Sequence, residues 1–262
     1  MFATDEVHFH TRFATAGVAH FWDSVADDDP KLQVLLKETS WDRSVLRRVV
    51  PLWLHGDKAE YENNDSILHF SFGALLNRDQ TLDSACYLAG YTSCCTRSST
   101  WDVLWDELTN GFVDLLNGRD STGSWIAGGW RFAIWCILGD QDNHVNVFKM
   151  PHWSRYEFCW DCKHNKDTGF AFQHGLPWGS KRRVDEEVAN RISSHRVFKI
   201  PGVSCFNLSQ DFIHIIVCNG LMNHAFGNFF KYLCWRDAGR QRVPPKVRLA
   251  GIFQRVQTLY KE

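Results

Sequence analysis

Two stretches of this chain share one signature, an apolar run that stops at Gly-Asp. The first is VVPLWLHGD (residues 49–57) and the second is WRFAIWCILGD (residues 130–140). β-Branched and aromatic residues dominate both, as expected of strands buried in a covered sheet. On this reading the first strand spans Val49 to Leu54 and breaks at Gly56. An Asp after a Gly is a common turn pair, because both residues tolerate the backbone angles of a turn. The carboxyl end of a central strand is also where α/β enzymes place catalytic groups. Spacing alone leaves both readings open, the plainer one being two turn acids.

The segments around these strands fill in an α/β pattern. SILHFSFGALL (66–76) partly alternates and reads as a second strand, after a polar turn at residues 62–65. TLDSACYLAGYTSCC (81–95) suits a third strand or a short helix equally well. STWDVLWDELTNGFVDLLNGRD (99–120) is the clearest amphipathic helix. Thr100 is placed to cap it, Trp101, Leu104, Trp105, Leu108, Phe112 and Leu115 fall at helical spacing, and Gly118 ends it. Residues 1–45 are acid-leaning and broken, and read as a helical or irregular lead-in. Two more helical regions are expected late, one from Asp211 through FFKYLCW and one in VRLAGIFQRVQTLYKE. There is no internal repeat, no glycine-rich phosphate loop and no Gly-x-Ser-x-Gly elbow.

If the first and fourth strands are neighbours in a mixed sheet, Asp57 and Asp140 lie side by side. Two carboxylates a few Å apart repel, and both stay charged only with a cation between them. Hard oxygen ligands suit Mg²⁺ or Mn²⁺, whose remaining positions go to water and phosphate oxygens. A pair of such ions about 4 Å apart clamps the attacking and leaving oxygens of a phosphoryl transfer. His55 falls on the same side of the strand as Asp57 by alternation, so a metallohydrolase of another kind also stays open.

FCWDCKHN (158–165) adds a second signal. Cys159 and Cys162 form a C-x-x-C, which brings two thiolates to one Zn²⁺ from a tight turn. Further ligands must come from elsewhere, with His164 nearby and His214 and His224 in the late helix. On a straight helix His214 and His224 stand ~15 Å apart along the axis, so both reach one ion only if the helix breaks. Asp211 and His214 share a face.

The chain has nine Cys, a net charge of -1 and an amino terminus, MFATDEVHFH, without a hydrophobic signal core. These features lead us to expect reduced thiols and an intracellular setting, and they give no global attraction to nucleic acid or lipid. Any DNA contact must be local, with Lys181, Arg182 and Arg183 as the candidate phosphate-binding patch or simply a solvated loop. No apolar run approaches the ~18 residues of a membrane span, so no membrane partner is expected.

PLWLHGD at the first acid, ILGDQDNHVNVFKMPHWSRYEFCWDC from the second acid to the Cys pair, and the D-x-x-H of DFIHIIVCNGLMNHAFGN together resemble the catalytic region of CACTA-class cut-and-paste transposases. The likeness is closest to the transposon-derived proteins abundant in dinoflagellates, and it covers most of residues 45–262. It implies an RNase H-like mixed sheet over residues 46–150, preceded by the lead-in of residues 1–45. A zinc-containing, mainly helical insertion over residues 151–262 is expected to follow. By position it makes Asp57 and Asp140 the catalytic acids holding Mg²⁺ or Mn²⁺, with Asp142 as alternative second acid. Cys159, Cys162 and His214 become the structural zinc ligands, with His224 as second choice. The implied partner is transposon-end DNA in the nucleus, and a homo-oligomer is one assembly the likeness allows. The family's third acid is a Glu beyond the insertion, and Glu262 is the only formal candidate here. The expectation is therefore a C-terminally incomplete or degenerate strand-transfer nuclease that does not cleave DNA alone. The alternative is a non-enzymatic, domesticated zinc-containing fragment that binds DNA or protein.

Overall fold

A computed structural model describes residues 6–62, 65–78, 85–152, 154 and 195–210, with scattered helical positions between 225 and 254. The chain forms two compact units, Met1–Gln210 and Asp211–Glu262. The first is a mixed α/β unit built on a five-stranded open sheet in the order β3-β2-β1-β4-β5. Its strands are β1 (Val49–Glu62), β2 (Asp65–Ala74), β3 (Cys86–Thr92), β4 (Arg131–Gly139) and β5 (Leu208–Gln210). β1, β2 and β3 pair antiparallel, while β4 runs parallel to β1, and β5 parallel to β4. The ambiguous stretch before residue 95 is thus a strand, ending in a 3₁₀ turn at Ser93–Cys95.

β1 is central, and Val49, Val50, Leu52 and Leu54 are buried along it. Helix α4 (Ser98–Leu116) covers the face carrying Phe70 and Phe72 of β2. The Trp105 ring meets Phe70 at 5.0 Å and Phe112 meets Phe72 at 5.6 Å, both edge-on. The helix starts one turn differently from the sequence expectation. Arg97 is its N-cap residue, and Thr100 closes the turn from the third position, its hydroxyl accepting the Arg97 N–H at 3.2 Å. Gly118, at φ +76°, ends it as expected, in a left-handed conformation that side chains resist.

The acid-leaning lead-in is part of this core. Helices α1 (Glu6–Arg12), α2 (Val18–Ser24) and α3 (Pro30–Thr39) bury Phe9, Val18, Trp22, Leu32 and Leu35. Trp22 donates its indole N–H to the Val49 carbonyl at 2.7 Å, tying α2 to the start of β1. Asp29 caps α3 through the Lys31 and Leu32 amides, with Pro30 at the first helical position.

Residues 195–210, expected in the insertion, also belong to the sheet unit. Val197, Ile200, Val203, Cys205 and Leu208 are buried there, and β5 extends the sheet. Buried Asn207 donates its carboxamide to the Ile134 and Trp135 carbonyls, at 3.1 and 3.3 Å. These carbonyls stand where the β1–β4 register slips, and the amide replaces ladder bonds lost at the irregularity. The described positions of the second unit, Pro244 apart, are helical, and the unit itself begins at Asp211.

Candidate functional site

The two Gly-Asp steps meet on adjacent parallel strands. The β1–β4 register runs to His55↔Leu138, and Asp57 and Asp140 each stand two residues further on. The backbones are still side by side at the glycines, since a Cβ built on Gly139 would lie 3.2 Å from the Gly56 carbonyl oxygen. Neighbouring strands run about 4.8 Å apart, so the two carboxyl groups spring from backbones one strand spacing apart. Both residues are half-buried.

Their surroundings differ. The sequence reading breaks β1 at Gly56, whereas the strand continues through Gly56 and Asp57 to Glu62. β2 is the reason, because it supplies ladder partners throughout: Gly56↔Phe70, Asp57↔His69 and finally Glu62↔Asp65. Gly56 is a packing glycine rather than a turn residue. A Cβ there would come within 2.7 Å of the Phe70 ring and 3.0 Å of the Asn143 carboxamide oxygen. Because side chains alternate, Gly56 faces α4 while His55 and Asp57 face the opposite side of the sheet. The Asp57 carboxylate accepts the N–H of Lys58 at 2.7 Å, a bond to its own neighbour.

Asp140, by contrast, ends its strand. It is the N-cap of helix α5 (Gln141–Asn146), and its carboxylate accepts the Asn143 N–H at 2.6 Å. Behind it, His144 is fully buried, with Nε2 3.1 Å from the Ser209 carbonyl of β5. Burial lowers the His144 pKa, against the opposing pull of that carbonyl and of Asp140. The neutral ring therefore joins α5 to the sheet edge. Asn143 fills the space over both glycines. It is 4% exposed, and among the described residues neither carboxamide atom has a hydrogen-bond partner. Among the described residues neither Asp57 nor Asp140 pairs with a Lys or Arg; the ion pairs there are Arg43–Asp27, Arg47–Asp23 and Arg196–Asp106.

One neighbour was missed in the sequence. His69 lies directly across the β1–β2 ladder from Asp57, and its ring centroid is 5.8 Å from that of His55. Directly opposed residues of an antiparallel pair share a face, with Cβ atoms about 5 Å apart. Counting back from the turn at residues 62–65 would have found it to within one residue.

The donor set around Asp57 and Asp140, two carboxylates with imidazoles beside one of them, suits a divalent cation. Among the described residues, however, no three His, Cys, Asp or Glu side chains are grouped as a metal shell. Asp142 lies in the first turn of α5. Cys159, Cys162, His164, Lys181, Arg182, Arg183, Asp211, His214, His224 and Glu262 lie outside the described residues. No described helix is long and apolar enough to cross a membrane. No protein-family model matches the chain, and no curated protein sequence matches it.

Proposed function

We propose that the chain carries the metal-binding half of an RNase H-like nuclease and strand-transfer centre of the CACTA transposase kind, with Asp57 and Asp140 as its carboxylates. One observation carries the reading: β1 and β4 are parallel neighbours whose register brings the two acids to the same level, without an intervening cation from Lys or Arg among the described residues. The strand order, three antiparallel strands followed by two parallel ones beyond β1, agrees with the sheet that the resemblance implies. Asp57 and Asp140 would hold Mg²⁺ or Mn²⁺, which when bound supplies charge neutralisation at a phosphate and activation of water or a DNA 3′-hydroxyl. The chain's own part is to hold two carboxylates at one strand spacing, Asp140 being fixed by the Asn143 amide. Cys159, Cys162 and His214 are the proposed zinc ligands, and DNA is the proposed partner.

The test is Mn²⁺ titration followed by electron paramagnetic resonance on the whole chain, beside nicking of supercoiled plasmid in Mn²⁺. Binding that disappears in Asp57→Asn and weakens in Asp140→Asn is the expected result. Identical binding in all three proteins would overturn the reading. Zinc is tested separately: about one equivalent is expected in purified protein, lost in Cys159→Ser with much of the stability.

A second reading is favoured by the capping bond of Asp140, which gives that carboxylate a structural task whatever else it does. On this reading the fold persists as a non-enzymatic fragment binding DNA or protein. DNA binding by the whole chain that ignores Mn²⁺ and both Asp→Asn substitutions would support it.

A further inference from the structure

Away from the candidate site, two cysteines stand next to each other where β3 leaves the sheet edge. Cys94 and Cys95 fall in the 3₁₀ turn Ser93–Cys95, both exposed, and their sulfurs are 3.6 Å apart. The Thr92 hydroxyl lies 3.2 Å from the Cys94 sulfur. The other described thiols, Cys86, Cys136 and Cys205, are buried. Burial pushes the Cys136 thiol up to about 11, which keeps it in the unreactive protonated form.

Two adjacent exposed thiols have two chemical uses, closure to a disulfide or chelation. Backbone geometry separates them. Consecutive Cα atoms across a trans peptide are about 3.8 Å apart, whereas disulfides want roughly 4.4–6.8 Å. The chain has no cis peptide among its described residues, so closure here would strain the turn. Chelation asks for much less. Two bonds of about 2.3 Å to one centre, the length of a zinc–thiolate bond, span 3.6 Å when they meet at roughly 100°. That is close to the angle of a tetrahedral or pyramidal centre.

We propose that Cys94–Cys95 is a chelating dithiol, a binding site for a thiophilic centre that takes both sulfurs at once, of which trivalent arsenic bearing one organic group is the simplest representative. In the reaction with phenylarsine oxide two S–H bonds and the arsenic–oxygen bond break, two As–S bonds form, and one water leaves. No electron is transferred, so neither oxidant nor reductant is needed.

The probe is phenylarsine oxide, added at one equivalent to the reduced whole chain. Intact mass and peptide mapping locate the arsenic, and dimercaptopropanol challenge measures its retention. The expected result is a single phenylarsenic bridging Cys94 and Cys95, resistant to a monothiol and removed by the dithiol. Cys94→Ser and Cys95→Ser should each lose retention at this turn by tenfold or more. Because both side chains are exposed, each variant should keep the wild-type far-ultraviolet spectrum and melting temperature. Arsenic mapping only to other cysteines would overturn the proposal, as would equal retention by either single-serine variant. A parallel arm exposes the native chain to oxidised glutathione. Mixed disulfides at this turn are expected, and ready formation of a Cys94–Cys95 disulfide would overturn the preference for chelation.

Discussion

The stretches LHGD at residues 54–57 and ILGD at residues 137–140 are near-copies in sequence, and the fold treats them in opposite ways. In the first the strand runs on for five residues beyond the acid, inside an antiparallel ladder with β2, which β3 flanks on its other side. In the second the strand stops and the acid caps a short helix whose own buried His144 lies against the Phe148 ring. Gly-Asp therefore does not end a strand by itself. β1 is held past Gly56 by its ladder with β2, whereas β4 stops although β1 runs on beside it, because Asp140 turns the chain into α5 and takes the Asn143 N–H as its cap. One acid stands within a ladder and the other on a packed corner.

The packed corner should be the pH-sensitive one. His195 touches the Trp105 and Phe148 rings, at 4.8 and 5.2 Å between centroids, and accepts the Val197 amide at Nδ1. Burial, helped by Lys149 and opposed by Asp102, brings its pKa down to about 4 from an ordinary 6.5. Between those values the unfolded chain binds a proton that the folded chain refuses. The stability is complete above pH 6.5 and is lost as pH falls toward 4. His144 adds to the fall in the same direction. The urea midpoint should drop clearly from pH 7 to pH 5, and His195→Asn, which keeps an acceptor for Val197, should flatten that drop. An unchanged slope in the variant would remove His195 from the account.

Next in size are the glycines. Gly56→Ala would drive a methyl to 2.7 Å from Phe70, and Gly139→Ala to 2.5 Å from the Asn143 amide nitrogen. Each should cost about 1–3 kcal/mol by overpacking. Adding Asn143→Ala tells them apart in chemical denaturation. It should recover most of the loss at Gly139 and little at Gly56, where the Phe70 clash stays. Equal recovery at both would mean that one shared contact, not two different environments, sets the cost.

The smallest effects come from the acids themselves. Asp140→Ala removes a helix cap and should cost about 1 kcal/mol in thermal or urea unfolding. Asp57→Ala loses, among the described residues, the bond to the Lys58 amide and should change stability by less than about 0.5 kcal/mol. A larger penalty at Asp57 than at Asp140 would invert the contrast between ladder and corner.

Much of this was legible in the sequence where a single stretch carries its own signal. The apolar runs of β1 and β4, the alternation of β2 and the heptad-like face of α4 each specify their element locally. What escaped depended on partners. β1 overran its expected end because its ladder is written in β2, a dozen residues away. His69 became a neighbour of Asp57 only through antiparallel register, which counting from the turn at residues 62–65 gives no better than to one residue. β5 is three residues, Leu-Ser-Gln, too short for any period, and its place is fixed by Asn207 reaching the β4 carbonyls. Helix α5 has six residues and is held by its cap and by His144 rather than by propensity. The juxtaposition of Asp57 and Asp140 follows once strands one and four are taken as neighbours, but the capping role of Asp140 does not.

The parallel pairing of β1 with β4 also fixes an order of events in time. The β1–β2 ladder joins residues as near in sequence as Glu62 and Asp65 and can form within microseconds, as local hairpins do. β4 reaches β1 only after β3 and the whole of α4 have been accommodated, a non-local closure that is slow for entropic reasons. Asp57 and Asp140 are thus strangers in the early ensemble and meet only as the sheet completes.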